Sequence, residues 1–215
     1  ERFFEDNIKQ LNVFITGIGN VGEKLIDQIN QQKAYLKKNL KLEVRIIGLS
    51  NSKKMVFNPE GIKLDNWASR FHYADKSSLN GFFNKVKELN LRNSIFVDVT
   101  ANEAVSKMYE DYLRSSIAVV ACSKIACSST YSNYKLLQDL SLKFNTPFLY
   151  ETNVGAGLPI INTLNNLVAS GDKVTSIQAV LSGSLNFIFN HFSDRTNFHD
   201  TVKRAQFEGY TEPDP

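Results

Sequence analysis

An α/β fold built on a mostly parallel, doubly wound sheet is predicted by three observations. Short apolar runs rich in β-branched residues alternate with longer amphipathic stretches through the first 150 residues. The first apolar run ends in a glycine-rich turn that leads into apolar residues at helical spacing. Near Glu151 the rhythm changes to a second glycine-rich connection followed by shorter elements, the start of an α+β domain. Residues 1–150 and 151–215 are therefore expected to be two domains, the second incomplete.

Taken in order, Leu11–Thr16 reads as a buried strand, and Val21, Leu25, Ile26 and Ile29 mark one face of the helix after it. Leu42–Leu49 is a second strand with Val44, Ile46 and Ile47 at its centre. The stretch 50–77 reads as irregular, with a turn at Asn58-Pro59-Glu60-Gly61. Alternation resumes with a helix over 78–89, a strand over 94–99, a helix over 103–114 and a strand over 117–121. A helix over 130–144 and a strand over 147–150 complete the series. Beyond it, helices are expected over 160–169, 185–192 and 198–207. The polar/apolar alternation of 173–181 predicts an antiparallel strand with one wet face.

Composition excludes several classes. With 42% hydrophobic and 22% charged residues over 215 positions, the chain is an ordinary globular one. A formal net charge of +3, with basic residues not interleaved with aromatics, argues against a nucleic-acid surface. Cys122 and Cys127 are too few for a disulfide framework and wrongly spaced for a CxxC pair. The three histidines show no metal-like grouping. No apolar run has the length of a signal peptide or a membrane span, so a cytoplasmic protein is expected.

Gly17-Ile18-Gly19-Asn20-Val21-Gly22 is a G-x-G-x-x-G between a strand and a helix, where a pyrophosphate-binding turn belongs. The first glycine permits the tight turn, the second lets backbone approach the phosphates, and the third lets the helix sit close to the strand. Free N–H groups at a helix start favour an anion. A Rossmann-type, nucleotide-binding first domain follows. The second strand ends in Ser50-Asn51-Ser52-Lys53-Lys54, without the acid that usually holds a ribose 2′-hydroxyl. Hydroxyls and ammonium groups there favour NADP over NAD, although the same residues also suit a plain polar loop.

Thr100 and Ala101 follow the 94–99 strand at the carboxyl edge of the sheet, where they can touch a cofactor. Asp98 or Thr100 can equally cap the next helix. Ser123-Lys124 ends the next strand at the same edge, and its lysine can orient a carbonyl or an amide. Gly209 suits a left-handed helix end, and Glu212 and Asp214 are each followed by a proline that stiffens their backbone. Two such carboxylates suit an ammonium-bearing substrate; a solvated tail is the simpler alternative.

Four stretches together resemble the homoserine dehydrogenase family: 17–22, 100–124, Glu151-Thr152-Asn153-Val154-Gly155-Ala156-Gly157-Leu158-Pro159, and Gly209-Tyr210-Thr211-Glu212-Pro213-Asp214-Pro215. Val180-Leu181-Ser182-Gly183-Ser184-Leu185-Asn186 supports them, and the 48–67 region looks most like the dehydrogenase half of aspartokinase fusions. The resemblance implies reduction of L-aspartate 4-semialdehyde to L-homoserine with NAD(P)H, for threonine and methionine synthesis, by a homodimer. It also implies roles. Ile18, Gly19 and Asn20 would hold the pyrophosphate, with Thr100, Lys124 and Gly209 near the cofactor. Lys124 and Glu212 are the catalytic candidates, Glu212 binding the substrate amino group. Glu151 with the carbonyls of Val154, Ala156 and Leu158 would form a sodium site. Ser123-Lys124 departs from the Asn-Lys of many members. The family's further aspartate and catalytic lysine lie beyond Pro215, so the chain as given is expected to bind NADP(H) with little or no turnover. Another NADP-dependent semialdehyde or hydroxy-acid dehydrogenase, or a nucleotide-sensing module, are the alternatives.

Overall fold

The computed structural model describes residues 7–180 and 182–211. It divides into two compact units, 1–157 and 158–215. In the first, seven strands among the described residues form one sheet in the order β4-β3-β2-β1-β5-β6-β7. These are β1 (Lys9–Thr16), β2 (Leu42–Ser50), β3 (Lys54–Phe57), β4 (Asp75–Lys76), β5 (Ser94–Asp98), β6 (Ala118–Ala121) and β7 (Phe148–Leu149). Strands β2, β1, β5, β6 and β7 pair in parallel. The two remaining strands are antiparallel additions at one edge.

The helices of this unit are α1 (Asn20–Leu40), α2 (Trp67–Arg70), α3 (Leu79–Leu89), α4 (Glu103–Ser106), α5 (Tyr109–Arg114), α6 (Ile125–Ser128) and α7 (Tyr131–Lys143). Both faces of the sheet are covered, as a parallel sheet requires. Val13, Ile15, Ile46 and Leu49 pack with Ile26 of α1 and with Ile62 on one face. Phe14, Ile47 and Phe96 pack on the other with Phe82 and Val86 of α3, Tyr109, Tyr112 and Leu113 of α5, and Leu137 and Leu140 of α7. Along β1 the alternation of Val13, Phe14 and Ile15 sends successive side chains to opposite cores.

The ladder between β1 and β2 carries a bulge, because Val13 faces Ile46 but Phe14 faces Gly48. Ile47 is the extra residue. It explains Gly48: a Cβ there would meet the Phe57 and Phe14 rings at 2.8 and 2.9 Å. Aromatic packing dominates this face, with Phe96 stacked on Tyr112 at 3.9 Å and Phe57 against Phe82 at 4.9 Å.

The structure corrects the sequence reading at four places. The stretch 50–77 is not wholly irregular: β3 turns back along β2, pairing Leu49 with Val56. The helix expected over 103–114 is two helices. The Ser106 hydroxyl donates to the Glu103 carbonyl at 2.8 Å, and the Met108 N–H returns to Val105 at 3.0 Å, tightening the chain between them. Helix α6 lies in a stretch assigned no element. Finally, 173–180 is not a strand and is exposed throughout. Its alternating pattern has no second strand to pair with among the described residues of its unit; Leu181 lies outside them.

The second unit holds α8 (Ile161–Ala169), α9 (Gly183–His191) and α10 (Phe198–Phe207). Ser182 caps α9 by accepting from the Leu185 N–H, and Asn197 caps α10 from the His199 N–H. Phe187, Ile188 and Ala205 form its small core with Val202.

Phe96, 2% exposed, touches both Tyr109 and Tyr112. Phe96→Ala is expected to destabilise the first unit by about 4 kcal/mol, measured by urea denaturation.

Candidate functional site

The strand order reverses direction at β1, so the carboxyl ends of β1 and β5 open a crevice between them. A cleft of about 520 Å³ lies there, walled by the turn after β1, the end of β2, the start of α3 and the turn after β5. Gly17, Ile18, Gly19, Ser50, Asn51, Ser52 and Thr100 all line it. The remaining expected cofactor residues stand outside that lining. Asn20, Val21 and Gly22 form the first turn of α1, Ala101 and Lys53 are exposed beside the cleft, and Lys124 is exposed at the start of α6.

The three glycines of the turn have separable roles. Gly17 has φ of +103°, and a Cβ on it would lie 2.6 Å from the Val99 carbonyl oxygen. A Cβ on Gly22 would lie 2.1 Å from the Gly17 carbonyl oxygen, so α1 rests directly on the backbone of the turn. Gly19 differs, because a Cβ there would meet nothing within 4 Å. It lines the cleft and stands at the head of the 21-residue α1 with no side chain capping the helix. The N–H groups of the first turn are thus left for a ligand, and the helix dipole favours a negative one. Internal packing therefore does not require a glycine at 19.

At the end of β2 the structure sorts the expected polar contacts. Ser50 is 2% exposed, and its hydroxyl bonds that of Thr16 at 2.9 Å, tying β1 to β2. Asn51 Oδ1 accepts from the N–H groups of Lys53 and Lys54, both at 2.8 Å, and so shapes the loop. The Lys54 ammonium donates to the Phe71 carbonyl at 2.7 Å. Ser52 and Lys53 remain exposed at the rim. A second recess of about 330 Å³ shares Ile18 and Asn51 with the cleft and is walled by Trp67 and Phe71, whose rings meet edge to face at 6.1 Å. Sequence reasoning missed this aromatic wall, since it belongs to the stretch read as irregular.

The far wall is organised by Asp98, fully buried at the end of β5. Its carboxylate accepts from the Thr100 N–H at 2.8 Å and from the Tyr109 hydroxyl at 2.5 Å. Burial raises its pKa above the ordinary carboxyl range, against the lowering effect of those donors. The same burial, with the Asp98 charge, raises that of Tyr109. Neither Asp98 nor Thr100 caps the following helix. Asn102 does, accepting from the Ala104 N–H at 2.9 Å, while the Thr100 hydroxyl accepts from the Asn102 N–H at 3.2 Å. Thr16, Asn102 and Ser78, the cap of α3, are cleft residues that the sequence reading passed over. The serine three residues before Gly81 was the available signal for Ser78.

Glu151 opens a 3₁₀ turn over Glu151–Asn153, followed by Gly155 and Ala156 with φ of 73° and 51°. Asn153 Nδ2 donates to the Ser123 carbonyl at 3.2 Å, while its buried Oδ1 has no hydrogen-bond partner among the described residues. Burial pushes the neighbouring Cys127 thiol up to about 11, which keeps it protonated near neutrality. No cluster of three His, Cys, Asp or Glu occurs among the described residues. A cation here would rest on carbonyl oxygens with Glu151, a donor set suited to a hard ion. Leu158, the fourth expected ligand, begins the second unit, as Gly209, with φ of 80°, nears its described end. Glu212 lies outside the described residues. No helix among the described residues is long and apolar enough to cross a membrane.

Residues 17–151 match the family profile described as "Homoserine dehydrogenase, NAD binding domain", and residues 159–215 match "Homoserine dehydrogenase". Bifunctional aspartokinase/homoserine dehydrogenase 1 (chloroplastic) of Arabidopsis thaliana is 39% identical over 207 residues, covering 95% of this chain and 23% of that protein. Bifunctional aspartokinase/homoserine dehydrogenase of Haemophilus influenzae is 36% identical over 212 residues, 98% of this chain and 26% of that protein. The chain thus spans about a quarter of the length of these curated relatives. A hyperthermophilic archaeal homoserine dehydrogenase solved in complex with NADPH superposes with a TM-score of 0.77 at 25% identity, over 96% of this chain and 64% of that one.

The glycines give a direct test of the turn. Gly22→Ala is expected to cost about 3 kcal/mol, because its Cβ collides with backbone. Gly19→Ala is expected to cost less than about 1 kcal/mol. Chemical denaturation of the two variants side by side measures the difference.

Proposed function

The chain belongs to the homoserine dehydrogenase family, and on that premise we propose that it is the cofactor-binding part of an enzyme that reduces L-aspartate 4-semialdehyde to L-homoserine. The observation that carries this reading is Gly19, which faces an open cleft at an uncapped helix start. When bound, a reduced nicotinamide supplies the hydride. The residues of the chain supply placement. N–H groups of the 17–22 turn and of the first turn of α1 hold the pyrophosphate. Thr100, with Ala101 beside it, meets the nicotinamide half from the carboxyl edge of β5, and Lys124 stands at the corresponding edge of β6. A role for Glu212 in binding the substrate ammonium, and for Gly209 in touching the cofactor, is supported by the family match over 159–215.

NADP is the cofactor we favour over NAD. The 50–54 loop contains no carboxylate, and Lys53 is an exposed cation at the rim, well placed to pair with a 2′-phosphate. Lys54 contributes by shaping the loop through Phe71. The domain boundary is placed near residue 150, supported by the family profiles, one of which ends at 151 and the other of which starts at 159. A sodium ion at the Glu151 turn is supported by its donor chemistry. A homodimer, an attached aspartokinase and a cytoplasmic setting are proposed on the family and on the two free thiols.

Titration of the chain with NADPH, followed by nucleotide fluorescence, is expected to saturate in the micromolar range; no binding at millimolar NADPH defeats the proposal. Gly19→Ala should weaken that binding by about tenfold, close to 1.4 kcal/mol, with little loss of stability. Lys53→Glu should weaken NADPH by at least about tenfold and leave NADH nearly unchanged, which reads the 2′-phosphate contact directly. Replacing tetramethylammonium chloride by sodium chloride at equal ionic strength should raise the melting temperature, and Glu151→Gln should abolish the increment.

A further inference from the structure

We propose that Asp98 is a positioning residue for the nicotinamide half of the cofactor, acting through the turn that carries Thr100; the inference rests on the cofactor reading above. The backbone around Asp98 is fixed on both sides. The Val99 N–H donates to the Thr16 carbonyl, and the Cys122 N–H to the Asp98 carbonyl, each at 2.9 Å. The carboxylate is braced from the core by Tyr109, itself fully buried, with its ring against Phe96 and Phe148 at centroid distances of 6.3 and 5.9 Å. On its other side it holds the N–H of Thr100 at 2.8 Å, and Thr100 lines the cleft.

Two donors therefore converge on one carboxylate, the Thr100 N–H on one oxygen and the Tyr109 hydroxyl on the other. A carboxylate with no hydrogen of its own accepts both. An amide of the same shape has one donor head, so one of the two contacts has to be rebuilt. The consequence falls on the turn that carries Thr100. Its N–H is held by Asp98 and its hydroxyl accepts from the Asn102 N–H at 3.2 Å, and the two bonds together fix that residue at the cleft wall. A hydroxyl held there can bond the primary carboxamide of a nicotinamide. Asp98 thus sets where Thr100 stands, without touching the ligand.

The test compares two probes on the 215-residue chain: NADPH, and 2′-phospho-ADP-ribose, which has every part of that cofactor except the nicotinamide ring. Asp98→Asn keeps the volume and exchanges an acceptor for a donor. It is expected to weaken NADPH by about tenfold and to leave 2′-phospho-ADP-ribose within about twofold of the unchanged chain. Tyr109→Phe keeps the ring packing and removes one donor, and a smaller NADPH-selective loss of about threefold is expected. Equal weakening of both probes would mean that Asp98 only holds the fold together, and would overturn the proposal. So would unchanged binding of both. If Asp98→Asn does not fold, the same comparison on Tyr109→Phe decides. An unchanged chain that binds neither probe defeats the cofactor reading itself, a result distinct from either of these.

Discussion

A single close approach governs the first unit: the Cα of Gly22, in the first turn of α1, lies against the carbonyl of Gly17. A Cβ at 22 would sit 2.1 Å from that oxygen, so no other residue lets the helix start where it does. From this contact follow the direction of α1, the burial of Ile26 against Val13 and Ile15, and the position of the uncapped N–H groups at the cleft. Gly17 is constrained in turn by Val99 and Thr100, which a side chain on it would strike at 2.6 and 2.9 Å. The turns after β1 and β5 are therefore packed on one another before any ligand arrives. Preorganisation of this kind reduces the ordering that binding would otherwise require.

Much of this was legible in the sequence. Apolar runs fully covered on both faces announce a parallel sheet, and the strands centred on Phe14, Ile46, Phe96 and Val119 stand where those runs do. The glycine turn was legible because its spacing has one geometric use between a strand and a helix. What was not legible depends on partners distant in sequence. Lys54–Phe57 is too short to show a period, and becomes a strand only because β2 offers it an edge. The pattern of 173–180 makes the converse point, since alternation without a pairing edge yields exposed chain.

Polar side chains were harder to assign than elements. Ser50, expected as a cofactor contact, lines the cleft and also ties β2 to β1 through Thr16. Asp98 looked like a helix cap and is instead bound to a tyrosine eleven residues later, while Asn102 does the capping. Type and spacing gave the chemistry each group can perform, but burial decided which partner it met. Lys53 and Lys54, adjacent in sequence, separate by the same rule: one is exposed at the rim and the other reaches back to the Phe71 carbonyl.

The bulge at Ile47 carries a consequence for how the gene can vary. Past it, Ile15 stands beside Leu49 and Thr16 beside Ser50. An unbroken ladder through all nine residues would instead set Leu49 opposite Thr16 and carry Ser50 beyond the end of β1. The bulge therefore absorbs one residue so that the serine and the threonine meet. Deleting the codon for Ile47 would remove the bulge and leave those pairs in place, at the loss of one side chain from the core around Phe14. Among descendants of this sequence, a strand one residue shorter at the bulge should keep the register at the cleft.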